Sequence, residues 1–123
     1  MTLRLEDVAR HFRVGGETIR AVDGVSLTLE RGELIALYGP SGSGKSTLLL
    51  IAAGLELPDR GTVTWDGAPV PTRGRAADRW RRDTLGVVLQ HPPLVAGVPL
   101  HRSVGLRLEA CAVRRRGSPA SAR

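Results

Sequence analysis

A 123-residue chain with 41% apolar and 24% charged residues has room for one modest core and the composition of a soluble globular domain. Its net charge of +6 does not make it a nucleic-acid binder: residues 1–91 hold twelve basic and eleven acidic side chains, whereas residues 92–123 hold six arginines and only Glu109, so the excess belongs to a solvated tail. Cys111 alone excludes an internal disulfide, the start lacks a secretory apolar region, and the run from Leu48 to Ala53 falls far short of the roughly 20 residues that cross a bilayer.

Leu3-Arg4-Leu5-Glu6-Asp7-Val8 alternates as a half-buried strand, and Gly15-Gly16 marks a turn. Val25 to Leu29 alternates again, and Glu30-Arg31-Gly32 turns the chain. The continuous apolar run Leu34 to Tyr38 predicts a strand buried on both faces, and hence a mixed sheet. Ser46 to Ala53 predicts a helix that is apolar nearly all round and stops at Gly54. Thr62 to Trp65, Asp66-Gly67 and Ala68 to Val70 read as a small hairpin. A short polar helix follows over Ala76 to Arg82, with Trp80 as its contact residue, and Gly86 to Leu89 predicts another buried strand. After Pro99, residues Leu100, Val104, Leu108, Cys111 and Ala112 share a helical face, and from Arg114 onward no apolar period remains.

The sharpest signal is GPSGSGKST at residues 39–47, which contains the only lysine beside seventeen arginines. It fits G-x-x-x-x-G-K-[ST], and it is expected directly after the buried strand Leu34 to Tyr38 and opening a helix, where the pattern has a mechanism. Successive backbone N–H groups in such a loop make a nest for phosphate oxygens, and the helix N-terminus adds partial positive charge. Gly42 and Gly44 let the backbone wrap closely. Lys45 supplies a compact ammonium for the terminal phosphates, which arginine's broad planar fork replaces poorly. Ser46 is the expected Mg²⁺ ligand, and Gly39, Ser41, Ser43 and Thr47 complete the nucleotide-binding set.

Around this loop, Ala21-Val22-Asp23-Gly24-Val25-Ser26-Leu27, Arg31-Gly32-Glu33, Gly54-Leu55, Pro58, Gly61, Trp65-Asp66-Gly67 and Leu85 to Gln90 resemble the N-terminal half of an ABC-type ATPase domain. The resemblance covers about residues 3 to 108. The approach through Thr84-Leu85-Gly86 to Gln90 is most similar to the lipoprotein-release and macrolide-export branch. The fold it implies is an α/β P-loop core with an antiparallel β prelude, truncated before the Walker B strand and the signature segment. Residues 1–108 are then a partial nucleotide-binding domain and 109–123 a basic, disordered tail.

The resemblance also implies roles. Phe12 is the aromatic that stacks on adenine, with a core or edge-strand phenylalanine as the other reading. Gln90 contacts Mg²⁺ or the attacking water and reports nucleotide state to a membrane partner, which makes Lys45 and Gln90 the implied catalytic residues. ATP and Mg²⁺ are the implied ligands. A transmembrane permease subunit and a second ATP-binding subunit are the implied partners, on the cytoplasmic face of the cell membrane. His91 and His101 read as surface histidines.

Hydrolysis in this family needs an apolar strand ending in Asp-Glu and a Leu-Ser-Gly-Gly-Gln segment, and the 123 residues contain neither. The expectation is a chain that binds ATP without efficient turnover, and an exposed sheet edge prone to aggregation. The composition beyond about residue 109 reads as a shifted frame of GC-rich DNA. Two other readings compete. A kinase would need a substrate lid and a GTPase an Asn-Lys-x-Asp base reader, which one lysine at position 45 cannot supply. A nucleic-acid binder using the arginine-rich tail predicts salt-sensitive binding that survives Lys45→Ala.

Overall fold

The computed structural model describes residues 1–88. The chain divides into two units at Gly86/Val87; every helix and strand below belongs to the first, and Val87 and Val88 are the only described residues of the second. Strands β1 (Thr2–Val14) and β2 (Glu17–Glu30) form a long antiparallel hairpin whose register runs from Val14↔Glu17 to Thr2↔Glu30. Gly15 and Gly16 both have positive φ, +59° and +87°, the combination whose twist matches a two-residue hairpin.

Strand β3 (Arg60–Trp65) pairs with the other edge of β1, and the two-residue β4 (Ala68–Pro69) pairs with β3, giving the order β2-β1-β3-β4. Asp66 and Gly67, at φ +49° and +79°, make the same kind of turn, and the Asp66 carboxylate accepts a 2.7 Å hydrogen bond from the Thr2 N–H. The turn at Gly15-Gly16 and the hairpin at Asp66-Gly67 stand where the sequence places them, with β1 and β2 running longer than their alternating cores. Helix α1 (Lys45–Ala52) follows the glycine-rich loop, and α2 (Gly74–Thr84) replaces the predicted 76–82 helix with a longer one.

The core lies between α1 and the hairpin. Leu5, Val8 and Val22 of the sheet meet Leu48 and Ile51 of the helix, with Leu3, Val25, Leu27, Leu37, Ala52 and Val63 packed around them. Helix α2 adds a fully buried Ala77 and sets Trp80 edge-on to Trp65 at 6.0 Å between centroids. Arg81 donates a 2.6 Å hydrogen bond to the Gly54 carbonyl oxygen, tying α2 to the exit of α1.

Two expectations fail. Leu34 to Tyr38 forms no strand: Leu34 is 95% and Tyr38 91% exposed, and only Leu37 of the run reaches the core cluster. A strand buried on both faces needs neighbours on its edges and helices over its faces, and no strand among the described residues pairs with it. The described residues therefore contain no parallel half of a mixed sheet, and the described sheet is antiparallel throughout. Residues 86–88 form no strand either, with Val88 93% exposed. Leu89, Gln90, His91, His101, the predicted helical face from Leu100 to Ala112 and the 108/109 boundary lie outside the described residues. No helix among the described residues is long and apolar enough to cross a membrane.

Candidate functional site

The glycine-rich loop lies against the hairpin, and one backbone contact sets its position. Gly44 is the N-cap of α1 in the left-handed conformation, φ +84°. A Cβ there would overlap the carbonyl oxygen of Ala21 on β2 and lie 2.8 Å from its carbon, so only glycine fits. Gly42 has a similar φ, +79°, but open space around it, so its requirement is conformational alone. Glycine thus serves two different purposes two residues apart.

Lys45 is the first residue of α1, and its side chain folds back into the loop. The ammonium donates to the carbonyl oxygens of Gly39 at 2.9 Å and Pro40 at 2.6 Å and to Ser43 Oγ at 2.9 Å. All three ammonium donors are thereby used on loop acceptors. The Ser43 N–H closes the turn by donating to the Pro40 oxygen at 3.3 Å. Helical hydrogen bonding then starts with the Leu48 N–H on the Gly44 oxygen, at 2.9 Å.

The N–H groups of Lys45, Ser46 and Thr47 precede that first bond and have no intrahelical partner. No side chain caps them, and the first turn carries no acidic residue to offset the dipole. Beside them, Gly39, Pro40, Ser43, Gly44 and Lys45 line a cleft of about 300 Å³ together with the apolar Ala21, Val22, Leu37 and Leu48. Positive charge from a helix terminus and an ammonium, against an apolar wall, suits a phosphate group. Ser41 and Ser46 are exposed, and Thr47 is half-buried. The Ser46 hydroxyl has no hydrogen-bond partner among the described residues. No group of three or more metal-ligating side chains exists among the described residues. A divalent ion here would thus take one oxygen from Ser46 and the rest from a bound phosphate and water.

Phe12 stands on β1 opposite Ile19, outside the residues that line the cleft. The Arg10 guanidinium lies over its ring, 4.7 Å from the centroid. Arg10 in turn pairs with Glu56 and Asp59, each at 2.6 Å, on the loop between α1 and β3. Asp59 also accepts a 2.7 Å bond from the His11 N–H, while its own N–H donates to the Ala9 oxygen at 2.8 Å. The bond from the His11 backbone, then that from Arg10, holds the Asp59 carboxyl below its ordinary value of 3.8. The same bond holds the Arg10 guanidinium above its ordinary value.

This cluster is absent from the sequence reading. Glu56 and Asp59 are 46 and 49 residues from Arg10, and nothing in their local pattern signals the pairing. Of the residues predicted to bind nucleotide, the structure gathers Gly39 and Ser41 to Thr47 into one loop. Phe12 stands apart on the hairpin, and Gln90 lies outside the described residues.

A profile of the family described as "ABC transporter" matches residues 22–115. The sulfate/thiosulfate import ATP-binding protein CysA 2 of Agrobacterium fabrum is 40% identical over 94% of this chain, which spans 31% of that protein. The lipoprotein-releasing system ATP-binding protein LolD of Paramagnetospirillum magneticum is 38% identical over 79% of this chain, covering 50% of its own length. With importers and a releasing system at similar identity, the branch suggested by residues 84–90 is not singled out. Among solved structures, a bacterial ABC transporter cassette in its dimeric form superimposes with a TM-score of 0.80 at 32% identity, over 97% of this chain and 50% of that one. A post-hydrolysis state of that cassette, bound to ADP and Pi, matches equally well. The chain spans about a third to a half of the length of these relatives, and with its family profile and α/β P-loop fold it belongs to the ABC transporter family.

Proposed function

We propose that this chain binds Mg-ATP through residues 39–47, as the N-terminal part of the nucleotide-binding subunit of an ABC transporter. The observation that supports this most directly is the placement of the Lys45 ammonium within 3 Å of the Gly39, Pro40 and Ser43 oxygens, beside three N–H groups with no helical partner. Phosphate oxygens compete for that ammonium with stronger, charge-assisted hydrogen bonds than neutral carbonyls make. The backbone N–H groups of Gly44 to Thr47 orient the phosphates, and Ser46 offers its hydroxyl to Mg²⁺, which screens phosphate charge when bound.

Phe12 stacks on the base, and Gln90 senses the metal and the attacking water. ATP binding is read out by a membrane permease subunit and a second ATP-binding subunit at the cytoplasmic face of the membrane. Without an Asp-Glu strand or signature segment within these residues, the loop positions phosphates but lacks most of what stabilises a transition state. Titration of the 123-residue chain with Mg-ATP is expected to show binding that Lys45→Ala abolishes, and no turnover by either protein. Equal turnover by parent and variant would sink the assignment.

A further inference from the structure

We propose that Arg10 is a positioning residue for the nucleotide base: held by Glu56 and Asp59, its guanidinium covers one face of the Phe12 ring and presents the other face to a purine. The proposal rests on the ATP reading above and assigns to it the group that sets the base platform. Arg10 is 25% exposed and bound at both ends of its fork, so it is fixed rather than solvated. Its Nε is buried without a hydrogen-bond partner, so the side chain is held by its two terminal nitrogens and by the ring 4.7 Å from its central carbon.

Asp59 is itself fastened to β1 on both sides of Arg10, through the Ala9 oxygen and the His11 N–H. Arg10 thus joins β1 to the segment that leaves α1, the helix whose other end forms the phosphate site. One connected element therefore addresses both ends of a nucleotide. Along β2, the partner of Phe12 is Ile19, and the cleft wall begins at Ala21 and Val22. Two to three strand residues span about 7–10 Å, a separation that a ribose with its first phosphate bridges. A ring already fixed by a cation loses less freedom when a base stacks on it.

The test compares Mg-ATP with Mg-tripolyphosphate, which has the phosphates and no base, on the full 123-residue chain by calorimetric titration. Arg10→Met is expected to weaken ATP about three- to tenfold and leave tripolyphosphate unchanged. Phe12→Leu should do the same, and the double variant should be no weaker than the worse single, because the two side chains act as a unit. Arg10→Lys keeps a cation among the carboxylates and should lose about two- to threefold for ATP alone. Equal weakening of both ligands in Arg10→Lys, unchanged ATP affinity in Arg10→Met, or additive losses in the double variant overturns the proposal. Tripolyphosphate binding that survives Lys45→Ala overturns the phosphate site instead, a separate failure.

Discussion

The two sides of the glycine-rich loop share apolar sequence and little else. On its C-terminal side, α1 sets Leu48 and Ile51 against Leu5, Val8 and Val22, and the contact is closed to water. On its N-terminal side, Leu34 to Tyr38 is as apolar a run, yet Leu34 and Tyr38 are almost wholly exposed. The difference is in what each side asks of its neighbours. A helix satisfies its own backbone and needs one apolar surface to rest on. A two-sided strand needs hydrogen-bonding partners at its edges as well as cover for both faces. The hairpin offers the helix its surface, and the described residues offer Leu34 to Tyr38 no strand to pair with.

The largest expected effect tests the closed side. Ile51→Ala should destabilise the fold by about 2–5 kcal/mol, measured by denaturant unfolding, because it removes a fully buried side chain between helix and sheet. A loss below 1 kcal/mol would mean that the helix side is no better packed than the other. Gly44→Ala should come next. The left-handed φ costs about 1–2 kcal/mol, and the overlap with Ala21 forces the loop off the hairpin, so phosphate affinity falls further than stability does. Gly42→Ala meets only the conformational cost, and the gap between these two variants measures the hairpin contact itself.

Acidification probes the brace between the sheet and the exit of α1. The folded-state pKa of Asp59 lies below 3.8, so its stabilisation is fully present above that value and is lost as pH falls through the folded pKa. Asp59→Asn should lower stability by a constant amount above about pH 5, where that contribution is fully present, and should flatten the acid limb of the stability curve below it. The smallest effect belongs to the open side. Leu34→Asp should change unfolding stability by less than about 0.5 kcal/mol while reducing sedimentable aggregate, since the side chain has no packing to lose and the segment is an exposed apolar surface.

Much of the site was legible because it is built from local rules. Gly15-Gly16 and Asp66-Gly67 each dictate a two-residue turn, and the spacing of Gly39, Gly44 and Lys45 dictates a loop entering a helix. The run Leu34 to Tyr38 was misread because hydrophobicity reports what a segment would bury, while pairing depends on strands elsewhere in the chain. The Arg10, Glu56 and Asp59 cluster was illegible for a related reason. It depends on irregular register in β1, where pairing with β2 shifts on either side of Arg10, and on a loop that returns there through tertiary contacts. Asp7, at φ +47° and held by Arg60 and Ser26, is part of the same irregular stretch and equally silent in sequence.

The approach of Gly44 to the Ala21 carbonyl has an engineering consequence. The nine-residue motif is moulded on a foreign surface, so it is not a self-contained part. A graft of GPSGSGKST onto another helix would carry the ammonium and the donors but not the mould. To transplant the grip, β2 around Ala21 and Val22 has to travel with it, and the smallest portable unit is a helix seated on a hairpin.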